Sequence, residues 1–141
     1  MIIKQLSVFL ENKSGRLTEV LETLGEQKIE IKALTIADTS EFGILRMIVN
    51  EPEEALHQLK KQGFSVNLTD VLSIATPTSS DMFAKALRLL SDKNISIEYI
   101  YSFSVGEKEI LIMRTDNTEK AIYVLQEHKM ELVKASELYS F

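Results

Sequence analysis

The spacing of apolar residues along the first half of the chain switches between two periods. Apolar residues at every second position over residues 6–10 predict a strand with one buried face. From Gly15 onward they fall at i, i+3, i+4 and i+7, which is the stripe of an amphipathic helix. The same two signals predict strands over residues 29–37 and 43–49, a second helix after Asn50, and a fourth strand over residues 64–68. The predicted order is β-α-β-β-α-β.

This pattern occurs twice. When the sequence is compared with itself after a shift of 66 positions, its apolar residues align without a gap. The aligned pairs include Leu24 with Leu90, Ile29 with Ile95, Met47 with Met113, Leu59 with Leu125, and Leu72 with Leu138. One tandem pair of such long units indicates two similar domains rather than a solenoid. We therefore predict an α+β fold class, two ferredoxin-like βαββαβ sandwiches in tandem, with domains at residues 1–69 and 70–141.

Residues with capping side chains predict where the helices begin and end. Ser14 is placed to cap the first helix, and Gly25 with Glu26 and Gln27 to close it. Asn50 and Asp116 occupy equivalent positions in the two copies, and each precedes a glutamate by three residues, as in a capping box. We therefore expect Asn50 and Asp116 to cap the second helix of each copy.

Composition and charge narrow the class of protein. The 141 residues carry a formal net charge of −5, with 45% hydrophobic and 26% charged residues, an ordinary balance for a soluble globular protein. The negative charge argues against nucleic acid as a partner, and no apolar run approaches the ~20 residues of a membrane span. The absence of cysteine excludes disulfides and is compatible with a reducing compartment. With no signal-peptide layout, we expect a cytoplasmic protein that binds neither membrane nor nucleic acid.

The sequence offers no arrangement of residues typical of a catalytic or metal site. His57 and His128 are the two histidines, and each stands alone on a predicted exposed helix face. Phosphate-binding glycine loops and nucleophile-elbow motifs are absent. RNA-recognition modules share the βαββαβ order, but residues 109–113 lack the basic and aromatic side chains that those modules need. We therefore predict no catalytic residue, no metal and no cofactor.

The candidate functional residues lie in the loop between the first strand and the first helix. A helix N-terminus presents unpaired backbone N–H groups that favour an anionic group such as a carboxylate. Gly15 allows a ligand or a neighbouring backbone to approach closely, and the Asn12 amide both donates and accepts hydrogen bonds. The alternative is that Asn12 and Ser14 only cap the helix while Gly15 eases the turn, since these residue types dominate turns in general.

Two βαββαβ copies and an Asn-x-Ser-Gly-x-Leu loop resemble a tandem ACT domain protein over essentially the whole chain. Asn12, Gly15 and Leu17 match the loop of that family, whereas Ser14 stands where proline is common. The resemblance implies domains paired side by side in a continuous antiparallel sheet, with a free amino acid bound at the interface between them. The ligand-binding residues that it implies are Asn12, Lys13, Ser14, Gly15, Arg16 and Leu17 from the loop, and Tyr99, Ile100, Tyr101, Ser102 and Phe103 from the second strand of the second copy.

The two copies differ at the loop that the resemblance assigns to the ligand. Asp81 stands 66 positions after Gly15, and its side chain and negative charge would obstruct a carboxylate. We therefore expect the loop at residues 12–17 to be the better site, while the loop at residues 76–82 either binds a ligand's ammonium or is purely structural. On the facing strand, Tyr99, Tyr101 and Phe103 share one face and either clasp a ligand side chain or serve as ordinary packing.

The resulting hypothesis is a regulatory protein without catalysis of its own that senses a free amino acid. Its expected partners are an amino-acid biosynthetic enzyme and a second copy of the chain in a homodimer. One alternative is an interaction or oligomerisation module whose ligand loops are vestigial. Another is a small enzyme that uses the domain interface as its active site, although the sequence contains no evident nucleophile–base pair.

Overall fold

The structure, a computed structural model, describes residues 1–11, 15–38, 41–77 and 80–141. Helices and strands follow the predicted order up to the fourth helix, except that the last strand of the first copy and the first strand of the second form one continuous strand. The α+β fold class is confirmed. The elements are β1 (Ile3–Glu11), α1 (Arg16–Glu26), β2 (Ile31–Asp38), β3 (Phe42–Val49), α2 (Pro52–Lys61), β4 (Ser65–Pro77), α3 (Ser80–Ser91), β5 (Ile97–Val105), β6 (Lys108–Thr115), α4 (Thr118–Glu127), β7 (Glu131–Leu132) and α5 (Ala135–Tyr139).

The chain divides into two compact units. The first unit comprises Lys4–Thr69 and Ser140, and the second comprises Met1–Ile3, Asp70–Tyr139 and Phe141. The division in the middle of the chain therefore falls inside β4, between its fifth and sixth residues. No loop separates the two βαββαβ copies at this point.

In the first unit the strand order is β2-β3-β1-β4, and both helices pack on one face. Leu6 lies opposite Met47 and Val8 opposite Leu45, so these four side chains share the face that meets the helices. They form a buried cluster with residues of α1, α2 and β4, including Val20, Leu24, Ala55, Leu59, Phe64 and Val66. The alternate residues of β1 and β3 point to the opposite face.

The second unit repeats this arrangement with the strand order β5-β6-β4-β7. Leu72 lies opposite Met113 and Ile74 opposite Leu111. Together with residues of α3 and α4 they form a second buried cluster, which includes Ala86, Leu90, Ala121, Val124 and Leu125. The 66-residue register thus places equivalent side chains in equivalent cores.

The expected capping roles of Asn50 and Asp116 are wrong. The Asn50 side-chain oxygen accepts a hydrogen bond from the backbone N–H of Glu30 at 3.0 Å, and Asp116 accepts one from Ser96 at 3.0 Å. The N-cap positions fall one residue later, at Glu51 and at Asn117. Asn117 accepts a hydrogen bond from the backbone N–H of Lys120, whereas Glu51 makes no side-chain cap. An Asn or Asp side chain before a helix can accept from the helix N-terminus or from another backbone N–H. The sequence pattern does not distinguish these roles and therefore placed the cap one residue too early.

The predicted end of α1, at Gly25 with Glu26 and Gln27, is confirmed, since Glu26 is the last helical residue and Gln27 is the C-cap. Residues with positive φ follow the four longer helices: Lys28, Gly63, Asn94 and Lys129. After α1, the N–H of Ile29 donates to the carbonyl of Leu24 and the N–H of Lys28 to that of Gly25, both at 3.0 Å, which is the Schellman pattern. The same backbone motif therefore ends each of these helices, although only one of them uses glycine.

The last helix was not predicted, and it ends the structural repeat. Leu72 and Leu138 match in sequence register, but Leu72 lies in strand β4 and Leu138 in helix α5. That aligned pair is therefore a coincidence of sequence and not a structural equivalence. Both side chains are nevertheless fully buried.

Candidate functional site

Three residues of the predicted ligand loop are placed by the structure, while Asn12, Lys13 and Ser14 lie outside the described residues. Gly15 is the N-cap of α1, with φ 88°. A β-carbon at Gly15 would meet no atom of the described residues within 4 Å, and the positive φ is the feature that favours glycine there. Leu17 is half-buried and packs against the core of the first unit. Core packing therefore gives a reason for leucine at this position besides its match to the family loop.

Arg16 is held in a defined position at the first turn of α1. Its guanidinium carbon lies 4.3 Å from the centroid of the Phe64 ring, and its Nη1 donates to Glu19 Oε2 at 2.8 Å. Its Nε is buried and has no hydrogen-bond partner among the described residues. Stacking on Phe64 and pairing with Glu19 therefore fix a cation beside the N-terminus of α1.

A cavity of about 330 Å³ opens beside Arg16, at the end of the first unit where β1 ends and α1 begins. It is lined by Phe9, Leu10, Glu11, Arg16, Phe42, Gly63 and Ser65. Its volume lies at the small end of the range for pockets that hold small molecules. Among the described residues, this wall includes a cation, a carboxylate and an aromatic pair.

The aromatic pair consists of Phe9 and Phe42, whose ring centroids are 5.4 Å apart. Phe9 lies opposite Ile44 and Phe42 opposite Glu11, so both belong to the sheet face turned away from the helices. They are 48% and 38% exposed. Sequence reasoning missed both residues. The sequence held one signal, at Phe9. This aromatic residue stands at a position of β1 where the alternation places solvent-facing residues, and its counterpart in the second copy is Ala75.

The equivalent region of the second unit is built differently. Asp81 lies inside α3, so the position equivalent to Gly15 is helical there. Ala75 and Lys108 replace the two phenylalanines, and Lys108 Nζ contacts both carboxylate oxygens of Glu131 at 3.0 Å. The cavity there measures about 150 Å³, and α5 and Phe141 form part of its wall. The two copies thus share a scaffold and differ at this end.

The predicted facing strand is β5, in the second unit. Tyr99, Tyr101 and Phe103 are half-buried and share a face, whereas Ile100 and Ser102 are exposed on the other. The rings of Tyr99 and Tyr101 stack with centroids 6.5 Å apart. Each of the two predicted groups of ligand-binding residues is therefore assembled within its own unit.

Among the described residues, no three His, Cys, Asp or Glu side chains gather in a way that would hold a metal ion. The ring Nδ1 of His128 lies 2.9 Å from the carbonyl oxygen of Val124, so this ring nitrogen is already engaged with the backbone. A second cavity of the first unit, about 300 Å³, is walled by Glu19, Glu22 and Glu26 and so disfavours an anion. Within the described ranges every helix is too short or too polar to cross a bilayer.

Solved structures of other proteins share the fold. Protein BT0572 from Bacteroides thetaiotaomicron is 48% identical, with a TM-score of 0.96 over 100% of this chain and 98% of that one. The regulatory subunit of aspartate kinase from Thermus thermophilus, in its ligand-free form, gives a TM-score of 0.65 at 17% identity, over 89% of this chain and 93% of that one. At that identity the second match shows the fold alone.

Curated relatives match parts of the chain. The small subunit of acetolactate synthase isozyme 3 from Escherichia coli is 36% identical over 72 residues, which are 50% of this chain and 43% of that protein. The acetolactate synthase small subunit from Buchnera aphidicola is 26% identical over 96 residues, 67% of this chain and 59% of that protein. The matched regions thus span roughly half the length of these relatives.

The family comparison covers the full length. The family model described as the ACT domain pair matches residues 1–141. This match agrees with the two βαββαβ copies seen in the structure and confirms the resemblance found in the sequence. The chain belongs to the ACT domain pair family.

Proposed function

We propose that this chain is a regulatory protein that binds a free amino acid and has no catalytic activity of its own. The observation that carries the proposal is the cavity at the end of the first unit, where a cation, a carboxylate and two aromatic rings lie beside the N-terminus of α1. A free amino acid presents a carboxylate, an ammonium and a side chain, so each kind of wall residue has a counterpart in the ligand.

The loop at residues 12–17 is the proposed main-chain binding group. Gly15 leaves the approach to the N-terminus of α1 clear of a side chain, and the N–H groups of that first turn favour a carboxylate. Asn12, Lys13 and Ser14 complete the group. Tyr99, Ile100, Tyr101, Ser102 and Phe103 are the proposed facing wall. In this proposal the ligand lies at the interface of two ACT domains, as the family resemblance implies.

An enzyme of amino-acid biosynthesis is the proposed partner. Two curated relatives are named as small subunits of acetolactate synthase, and one structural relative is named as a regulatory subunit of aspartate kinase. We propose that ligand binding changes how this chain, as a homodimer, contacts such an enzyme. The ligand can shift the equilibrium between two states of the complex only by as much as its affinity differs between those states.

The direct test is a thermal-shift panel of the twenty common amino acids with the purified protein. A ligand present at ~100 times its dissociation constant stabilises the folded state by about 2.7 kcal/mol. We expect one amino acid, or a chemically related group, to raise the melting temperature by several degrees. A flat panel would refute the proposal.

Gly15→Asp should abolish the shift, because it adds a negative charge beside the proposed carboxylate position, while its β-carbon meets no atom of the described residues within 4 Å. The matched control is Gly106→Asp. Gly106 also has positive φ, 62°, and open space around it, but it lies in the β5–β6 turn. The control should retain the ligand shift. A Gly15→Asp protein that keeps the full shift would exclude this loop as the site.

A second candidate function is an interaction module, and an exposed apolar edge favours it. Leu34 and Ile36 of β2 are 47% and 42% exposed on the outermost strand of the first unit. Unpaired edge strands with apolar side chains are common contact surfaces between chains. Ile36→Lys should shift the protein to a smaller species in size-exclusion chromatography with light scattering if this edge joins two copies. An unchanged mass would count against this surface.

A further inference from the structure

We propose that the cavity of the first unit selects an L-amino acid with an apolar side chain. Phe9 and Phe42 contact that side chain and determine the preference. Arg16 would bind the ligand carboxylate and Glu11 its ammonium. This inference rests on the proposed function, because it names the class of ligand for the same end of the first unit.

Arg16 is suited to bind a carboxylate because its position is fixed before any ligand arrives. Its guanidinium stacks 4.3 Å from the Phe64 centroid, and Glu19 accepts from only one of its nitrogens, Nη1. A guanidinium carries five N–H donors in a planar fork, so donors remain for a second carboxylate. A prepositioned side chain loses little conformational entropy on binding.

Glu11 adds the opposite charge to the same wall. It is the last residue of β1 and lines the cavity together with Arg16. Among the described residues of the wall, Arg16 and Glu11 supply one charge of each sign, which complements a zwitterion. A charged ligand side chain against the aromatic rings would lose its hydration, so the described part of the wall favours a ligand whose side chain is uncharged.

Phe9 and Phe42 supply the apolar part of the wall. Their ring centroids lie 5.4 Å apart with an interplanar angle of 36°, so the two rings form one apolar surface. The cavity of about 330 Å³ has room for a branched or aromatic side chain beside the α-carbon groups. Each fully buried ligand methylene should tighten binding about fourfold.

The second unit has lost every one of these wall residues at the equivalent positions. Ala75 replaces Phe9, Lys108 replaces Phe42, Met82 replaces Arg16, and Pro77 replaces Glu11. Lys108 is instead paired with Glu131. The same scaffold thus tolerates alanine and lysine at these positions, so those substitutions can be made in the first unit without expected loss of folding.

Titration calorimetry with the full chain tests the ligand class. The series L-alanine, L-valine, L-leucine and L-phenylalanine is compared with L-serine, L-aspartate and L-lysine. We expect L-leucine or L-phenylalanine to bind at least about tenfold more tightly than L-alanine. We also expect 4-methylpentanoate, which lacks the ammonium, and 3-methylbutylamine, which lacks the carboxylate, to bind more weakly than L-leucine.

The double variant Phe9→Ala/Phe42→Lys should weaken L-leucine binding about tenfold or more, while L-alanine binding changes little. The preference for leucine over alanine should therefore collapse. Leu87→Ala, which shortens a 36% exposed side chain on α3, is the matched control and should leave both affinities unchanged. Arg16→Met should weaken L-leucine but leave 3-methylbutylamine unaffected, a difference that general destabilisation would not produce.

The outcomes separate this inference from the proposed function. If L-serine, L-aspartate or L-lysine binds most tightly, the ligand class is wrong although amino-acid binding stands. If the double variant keeps the leucine preference, Phe9 and Phe42 do not read the side chain. If no amino acid binds at all, the proposed function and this inference both fail.

Discussion

Asn50 and Asp116 occupy the same register position in the two units and use a side-chain oxygen in the same way. Each accepts a hydrogen bond from a backbone N–H twenty residues earlier, at Glu30 and Ser96. The backbone N–H groups of Asn50 and Asp116 donate in return to the carbonyls of those same residues, at 3.1 and 3.0 Å. Sequence reasoning found the right residue types but assigned them to the helices, because an Asx side chain before a helix satisfies the capping pattern whichever donor it meets.

Asn50→Ala should lower the free energy of unfolding by about 1 kcal/mol, since the N–H of Glu30 loses its side-chain acceptor. Urea denaturation followed by circular dichroism measures the difference. His57→Ala, at an exposed position on α2, serves as the control and should stay within about 0.5 kcal/mol of the wild type. If both variants unfold at the same urea concentration, the Asn50 hydrogen bond contributes nothing to stability.

Phe9, Phe42 and Arg16 show why the candidate site was harder to predict than the cores. The core residues repeat with periods of two and 3.6, which a sequence displays directly. The cavity wall brings together β1, α1, β3 and the start of β4, whose proximity follows only from strand pairing and helix packing. Gly15 was found from its place before a helix N-terminus and Arg16 through the family loop, whereas the phenylalanines were found by neither route.

At the scale of elements, four helices end with one backbone motif built from different residues. Lys28 and Asn94 stand at equivalent positions with φ of 58° each, and Gly63 and Lys129 form the second equivalent pair. The following apolar residues, such as Ile29 and Ile95, are buried in the two cores. The motif is therefore imposed by the burial of the next residue.

Lys28→Gly should raise the free energy of unfolding by up to about 1 kcal/mol, because glycine adopts positive φ without the penalty that a β-carbon brings. Part of this gain is offset by the greater freedom of glycine in the unfolded chain. Lys61→Gly, in the last turn of α2, has no such strain to relieve and should be destabilising. A loss of stability in Lys28→Gly comparable to that in Lys61→Gly would contradict this reading of the helix end.

At the scale of the whole chain, the duplicated scaffold was predictable and its asymmetry only partly so. The alternation of periods, repeated after 66 residues, was enough for the βαββαβ order of both copies. The divergence of Asp81 from Gly15 was visible in the sequence, but its placement inside α3 was not. Helix α5 escaped prediction because five residues carry too little of a helical period to be recognised.

This asymmetry predicts the number of ligands. Because the second unit lacks counterparts of Phe9, Phe42 and Arg16, we expect one amino acid to bind per chain. Calorimetric titration with whichever amino acid gives the largest thermal shift measures this ratio. The control variant Lys108→Ala removes the pair with Glu131 in the second unit and should leave both ratio and affinity unchanged. A ratio of two would mean that the second unit also binds ligand.

The division of β4 shows how the two copies are joined. In the first copy the strand passes from Thr69 directly to Asp70, so the last strand of one copy is continuous with the first strand of the next. Sixty-six positions later the corresponding residue is Ala135, the first residue of α5. At this position the first copy therefore continues as a strand, whereas the second copy turns into a helix. The duplication thus preserves the sequence register here without preserving the secondary structure.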